Sequence, residues 1–280
     1  MSQPEPQGAQ QAQDAHVTQP DWNRIAQKFD LWLPHIAPVG DALIERLDLH
    51  PGDRVLDLAC GTGEPGLTLA RRYGDEVNIL GVDAAEGMVN AARAKVEKEG
   101  IRGIAYKVMP AEDLFLPDAG FDRAICRFGA MLFKDPVKGF FEMRRVLAPG
   151  GRFAVAVWGE RMSAIEMAAK ALKPHLPEDS PAPFAQVTAL GPPGALEAAL
   201  EAAGFTGFEV TRHTLDYRFE SFEAYWDLVE ESAMLADLMG QLTPQQQDAV
   251  RDEVASLATA YQEPGGLVLP HVYLIASGPR

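Results

Sequence analysis

RVLDLACGTGEPGLTLA, residues 54–70, is the stretch around which the 280-residue chain is organised. Arg54 to Ala59 is a short apolar run bounded by turn residues, which predicts a strand. Gly61 and Gly63 break that run, and helical periodicity resumes at about Pro65. The whole reads as strand, tight turn and helix. Glycines without a Cβ let a ligand approach the backbone of such a turn, and the start of the helix offers unpaired N–H groups.

Upstream, Asp21 is an N-cap for a helix carrying Trp22, Ile25, Ala26 and Phe29, after which Leu31, Trp32 and the breaker Pro34 lead to a second helix over Gly40 to Leu49. Downstream, strands over Val77–Val82, Ile104–Met109, Phe121–Phe128 and Gly151–Trp158 alternate with helices over about Glu86–Glu99 and Lys138–Leu147. This alternation predicts right-handed βαβ units and a parallel sheet covered on both faces. The pattern changes after Trp158. The segments are a disordered tail (1–20), N-terminal helices (21–50), the binding core (51–158) and a helix with a Pro-rich lid (159–194). A continuation of the core (195–220), a helical cap (221–264) and a final strand (265–280) complete the chain. The cap's apolar face is Phe222, Tyr225, Trp226, Val229, Met234, Leu235, Leu238 and Met239.

The composition narrows the partners. With 47% hydrophobic residues the chain can bury a full core, while a net charge of -15 disfavours nucleic acid and anionic membranes and points to a small-molecule substrate. Cys60 and Cys126 are the only cysteines and form no disulfide framework, which suits a reducing cytoplasm. The Gln-, Pro- and Ala-rich tail lacks the features of a signal peptide, and no window approaches the ~20 apolar residues of a membrane span. No His/Asp/Glu cluster has metal-ligand spacing, so no metal is expected.

Gly61 to Gly66 satisfies G-x-G-x-x-G, and Asp83 stands near the distance at which a dinucleotide fold places its ribose acid, so an NAD-type oxidoreductase enters consideration. Asp57, at the end of the first strand and on the rim of the turn, argues against it. A pyrophosphate at ~4 Å in an effective dielectric of ~20 meets repulsion of about 4 kcal/mol per charge pair. A carboxylate there suits a ligand with an ammonium group, no phosphates and a ribose diol for Asp83, a description that S-adenosylmethionine fits. A non-catalytic protein binding the same cofactor also remains open.

Four motifs carry a resemblance. Asp57-Leu58-Ala59-Cys60-Gly61-Thr62-Gly63 resembles the first motif of class I S-adenosylmethionine-dependent methyltransferases, and Gly81-Val82-Asp83-Ala84 with Met88 resembles the second. Ala111-Glu112-Asp113-Leu114 with Phe121-Asp122 resembles the adenine segment, and Arg145 to Gly151 the turn before the fifth strand. The combination looks most like the ubiquinone/menaquinone-biosynthesis type. The resemblance implies a Rossmann-like α/β fold with a seven-stranded, mostly parallel sheet, its last strand antiparallel, plus helical cap insertions. It also implies that Asp57 holds the cofactor's amino group, that backbone at Ala59, Gly61 and Gly63 lies against its methionine portion, and that Asp83 takes the ribose hydroxyls. Ala84 and Met88 would pack on the adenine, with Ala111 and Glu112 at its edge. Two departures matter: Met109-Pro110 stands where the family often has Gly-Asp, and Phe29 where a Tyr is common.

Methyl transfer is an in-line displacement whose barrier falls chiefly through orientation, and an oxygen or carbon acceptor usually needs a base. His35, His175, His213 and His271 are conceivable bases, each equally readable as a structural residue, and none is assigned a catalytic role. Arg127, after the fourth strand, is read either as a partner of the cofactor carboxylate or an anionic substrate, or as a surface ion pair. Trp22, Phe29, Trp32, Phe128, Met131, Phe133 and Trp158 are the acceptor-pocket candidates, with core packing as the competing reading.

Overall fold

A computed structural model of the chain describes residues 21–180, 182–232 and 235–280. The tail read over 1–20, Pro181 of the Pro-rich segment and Met234 of the cap lie outside the described residues.

Helix α1 (Trp22–Phe29) starts where the Asp21 carboxylate accepts hydrogen bonds from the backbone N–H groups of Asn23 and Arg24. A 3₁₀ turn over Asp30–Trp32 leads straight into α2 (Leu33–Arg46), whose buried residues include Ile36, Val39, Leu43 and Ile44. This helix begins earlier than the Gly40 expected from sequence. Pro34 is no breaker because it sits in the first turn, where a backbone N–H has no intrahelical acceptor to lose. Pro38 lies inside the helix on its exposed side, so water can serve the carbonyl it leaves unpaired.

The sheet is built from β1 (Arg54–Leu58), β2 (Asn78–Asp83), β3 (Ile104–Val108), β4 (Phe121–Arg127), β5 (Leu147–Met162), β6 (Glu209–Phe219), β7 (Gln262–Glu263) and β8 (Gly266–Pro279). Its order is β3-β2-β1-β4-β5-β8-β6, with the two-residue β7 beside β8. Strands β1 to β5 pair in parallel, and β8 runs antiparallel to both β5 and β6. The central strands are apolar on both faces, with Val55, Leu56, Leu58, Ala124, Ile125 and Phe153 to Val157 all buried, because helices cover both sides. Helices α3 (Gly66–Tyr73), α4 (Glu86–Glu99) and α5 (Pro136–Val146) make the crossovers. The chain winds from β1 outward to β3, then returns to β4 and winds the other way. The crevice at this reversal, outside the carboxyl ends of β1 and β4, is where open α/β sheets bind ligands.

Strand β5 continues past Trp158 to Met162, where the sequence pattern suggests a helix. Met162 pairs with His271 of β8, and α6 (Ser163–Leu172) starts only afterwards. Helix α7 (Ala195–Ala202) precedes β6. Between β6 and β8 lie α8 (Phe222–Glu231), α9 (Ala236–Met239) and α10 (Pro244–Ala258), the last opened by a capping box between Thr243 and Gln246 and packed on α6. No helix among the described residues is long and apolar enough to cross a membrane.

One packing contact joins β3 to the glycine turn. The Tyr106 hydroxyl donates to the Gly63 carbonyl at 3.0 Å, and the ring crosses Gly81, where a Cβ would stand 2.4 Å from it. We therefore expect Gly81→Ala to lower the unfolding free energy by about 1–3 kcal/mol in urea titrations. An unchanged midpoint would contradict this packing.

Candidate active site

The site grows from the end of β1. Asp57 is completely buried beneath the turn rather than standing at its rim, and its Oδ2 accepts a hydrogen bond from the Gly66 N–H, the first residue of α3, at 2.9 Å. A Cβ on Gly66 would lie 2.7 Å from that oxygen, so the third glycine of the motif is what lets the helix start reach the carboxylate. Asp57 Oδ1 is buried and has no hydrogen-bond partner among the described residues. Burial pushes the Asp57 pKa up to about 7, against the Gly66 N–H and the nearby Arg127 guanidinium, which favour the anion. Arg127 is itself buried, its pKa lowered by burial, and its Nη2 donates to the Glu64 carbonyl. The surface ion pair is thus excluded as a reading of Arg127.

Asp83, at the end of β2, is fixed by two backbone donors: Gly61 N–H to Oδ2 and Ala85 N–H to Oδ1, both at 2.9 Å. A carboxylate offers about four lone-pair sites, so acceptor capacity remains. Burial raises its pKa against the Ala85, Gly61 and Ala84 N–H groups. Ala59 holds the turn open at φ 55, and a Cβ on Gly61 would meet only Phe29, at 4.0 Å. Ala84 is exposed beside Asp83. Met88 is buried in a small cluster with Ile25, Ala26 and Ala85, against which Trp22 and Phe29 pack. Ala111 is buried, and the Glu112 carboxylate accepts from the Lys134 N–H at 2.7 Å, tying the loop after β3 to the loop after β4.

The N-terminal segment is latched over this cradle. Asp30 accepts from the Thr62 hydroxyl at 2.5 Å and from Lys95 Nζ at 2.7 Å, while Lys95 also donates to the Thr62 carbonyl. Asn23 Oδ1 accepts from the Gly87 N–H. Arg24 pairs with Asp237 of α9, so α1 also meets the cap.

The acceptor-pocket candidates divide. Phe128, whose backbone is left-handed at φ 57, stacks on Trp158 with ring centroids 3.8 Å apart. Trp158 meets Tyr217 edge-on at 6.3 Å, and Tyr217 lies 6.0 Å from Trp32. These rings form one wall at the carboxyl edge. Trp22 and Phe29 belong instead to the Met88 side. Met131 is buried in the main core, and the Phe133 ring packs against α5, where a Cβ on Gly139 would come 2.5 Å from it. Between α2 and the start of α3 a cavity of about 250 Å³ is lined by Leu33, Gly40, Glu64, Pro65 and Arg127 among others. Gly66 is legible in the sequence as the third glycine of the motif but not its contact with Asp57, and Tyr106, Tyr217 and the Asp30–Thr62–Lys95 latch are not legible at all. The glycine spacing and the helix start at about Pro65 were the signals for Gly66; the others depend on distant pairings.

These features fit a methyl donor with an ammonium group: a buried carboxylate with an orphaned oxygen, an open glycine turn, and a second carboxylate preset by backbone donors. A methyltransferase-domain family model matches residues 55–151. Nocamycin O-methyltransferase of Saccharothrix syringae is 30% identical over 250 residues, covering 79% of this chain and 89% of that protein. The ubiquinone/menaquinone biosynthesis C-methyltransferase of Geobacter sulfurreducens is 43% identical over 105 residues, 37% of this chain and 41% of its own length. Among solved structures, the YcgJ protein of Bacillus subtilis has the same fold, with a TM-score of 0.58 at 19% identity over 88% of this chain and 98% of that one. The chain belongs to the S-adenosylmethionine-dependent methyltransferases, of Rossmann-like fold. It is an enzyme whose methyl donor is S-adenosylmethionine, and the oxidoreductase reading is not favoured.

The Asp57 environment predicts a pH dependence. Its pKa is about 7 when folded against an ordinary 3.8, so the folded apoprotein holds the proton more tightly and loses stability as pH rises from about 4 to 7. That separation corresponds to a loss on the order of 4 kcal/mol. Asp57→Asn cannot titrate, so its unfolding free energy, measured in urea across this window, is expected to fall less steeply than the wild type's. Parallel profiles would contradict the assignment.

Proposed function

We propose that the enzyme methylates an oxygen of a small, partly apolar, ring-bearing acceptor held between the N-terminal helices and the cap. The observation that carries this reading is the aromatic wall of Trp32, Phe128, Trp158 and Tyr217 at the carboxyl edge of the sheet. Oxygen is favoured over carbon because the longer match, over 79% of the chain, is to a protein named as an O-methyltransferase, whereas the match to the C-methyltransferase spans 37% of the chain. The net charge of -15 supports a small molecule over nucleic acid. Two buried free thiols, Cys60 and Cys126, support a cytoplasmic setting.

In this reading Asp57 holds the donor's ammonium group, directly or through a water, and Arg127 faces its carboxylate. Ala59, Gly61 and Gly63 present backbone to the methionine portion, and Asp83 takes the ribose diol. Ala84 and Met88 flank the adenine, with Ala111 and Glu112 at its edge through backbone groups. Phe29, where a Tyr is common in the family, has no hydroxyl to donate. The cofactor supplies a methyl group on a positively charged sulfur; the protein's part is to orient donor and acceptor and to exclude water.

Calorimetry with S-adenosylhomocysteine tests the cradle. The wild type is expected to bind, and Asp83→Ala to weaken binding about 100-fold, since it removes charge-assisted hydrogen bonds of ~1.5–3 kcal/mol each. Wild-type affinity in Asp83→Ala would sink the assignment. In a methyl-transfer panel of phenols, carboxylates, amines and thiols, product is expected from oxygen acceptors. Transfer confined to amines or thiols would overturn the oxygen reading.

A further inference from the structure

Three polar side chains stand together at the aromatic wall without a hydrogen bond among the described residues. The Trp32 indole N–H is buried and donates to nothing. Neither ring nitrogen of His35 and no oxygen of the Tyr217 side chain is bonded. Their rings adjoin: Trp32 to His35 at 6.1 Å, His35 to Tyr217 at 5.2 Å, and Trp32 to Tyr217 at 6.0 Å. A buried unpaired donor such as the Trp32 N–H costs about 1–3 kcal/mol, and nothing among the described residues offsets it.

The other described histidines are engaged or elsewhere. His50 Nδ1 meets Arg123, His213 Nε2 meets the Thr211 hydroxyl, and His271 donates from Nδ1 to the Leu269 carbonyl while Nε2 accepts from the Ala164 N–H. His175 stands in the 3₁₀ turn after α6.

The topology places His35 on the ligand side. Helix α2 runs back along β4: a Cβ on Gly40 would lie 3.3 Å from Arg127 at the strand's carboxyl end, and Asp48, past the helix, accepts through its carbonyl from Arg123 at the strand's start. His35 precedes Gly40 and so stands roughly 7 Å beyond the level of Arg127, at 1.5 Å rise per residue. It belongs to the same segment as Phe29 and Asp30, which touch the glycine turn.

Resting on the oxygen-acceptor reading above, we propose that His35 is the general base of the transfer, taking the proton of an acidic hydroxyl, a phenol or enol, while the Trp32 indole N–H holds the same oxygen. The acceptor's O–H bond breaks and its proton goes to an imidazole lone pair. The electron pair left on oxygen forms the new O–CH₃ bond, and the pair of the breaking S–CH₃ bond stays on sulfur. The positive charge lost by the sulfonium is balanced by the imidazolium. Partial burial lowers the His35 pKa, so the ring is neutral and carries its lone pair at neutral pH. The titratable groups facing it are Tyr217 of β6, pushed up by burial, and His271 of β8, lowered to about 4, with the Arg127 cation beyond Tyr217. A neutral acceptor beside a neutral donor matches a hydroxyl, which needs both.

The test uses the full chain with S-adenosylhomocysteine bound and phenol as the probe. In ¹⁵N-labelled protein, phenol is expected to shift the Trp32 indole and His35 imidazole resonances together. Two unmoved signals would overturn the proposal, whereas failure of S-adenosylhomocysteine to bind would instead strike the cofactor reading beneath it. In turnover, His35→Gln is expected to cost about 100-fold on a weakly acidic phenol and less than about tenfold on 4-nitrophenol, ionised at the assay pH. Equal losses on the two, or none, would also overturn it; where neither phenol is turned over, the resonance shifts decide.

Discussion

The buried contact between the Asp57 carboxylate and the Gly66 N–H is the constraint on which the site depends. It joins the last turn of β1 to the first turn of α3 and spans the loop that a ligand must approach. One carboxylate oxygen satisfies a helix N-terminus, where an anion is favoured. The other has no partner among the described residues, a costly arrangement unless a cationic group completes it. Arg127 eases this cost only in part, since burial still raises the Asp57 pKa. Asp83 shows the complementary solution: two backbone donors hold it and it is only half-buried, so it is fixed in direction yet open to hydroxyls.

Around this centre the chain closes from two directions. The Asp30–Thr62–Lys95 latch binds the N-terminal segment to the glycine turn, and the Arg24–Asp237 pair links α1 to the cap. The same segment therefore touches both the glycine turn and the helices between β6 and β8. Phe29 packs toward the glycine turn and Trp32 joins the aromatic wall, one 3₁₀ turn later. In the proposed reading, one short, continuous piece of backbone joins the donor and acceptor sites.

The strand-turn-helix over residues 54–70 and the parallel sheet were legible because apolar runs and glycines sit at regular spacing and depend on local chemistry. So was the reversal of the last long strand, through the resemblance to the methyltransferases. The start of α2 was not: Pro34 is a breaker inside a helix and harmless in its first turn, and sequence does not say which. Trp158 was read as the end of β5, but pairing with β8, over a hundred residues away, carries the strand to Met162. The same long-range pairing brings Tyr217 and His271 to Trp158, so no local pattern marks them. Phe133 looked equal to Phe128 in sequence. They differ because the backbone of Phe128 turns left-handed and stacks its ring on Trp158, whereas Phe133 meets a helix glycine.

The central claim is that the orphaned oxygen of Asp57 and the preset carboxylate of Asp83 together select the methyl donor. A crystal structure of the complex with S-adenosylhomocysteine tests it most directly. The ligand's ammonium group is expected within about 3 Å of Asp57 Oδ1, or one water away, and both ribose hydroxyls on Asp83. An ammonium group turned from Asp57, with Oδ1 still unpaired, would contradict it.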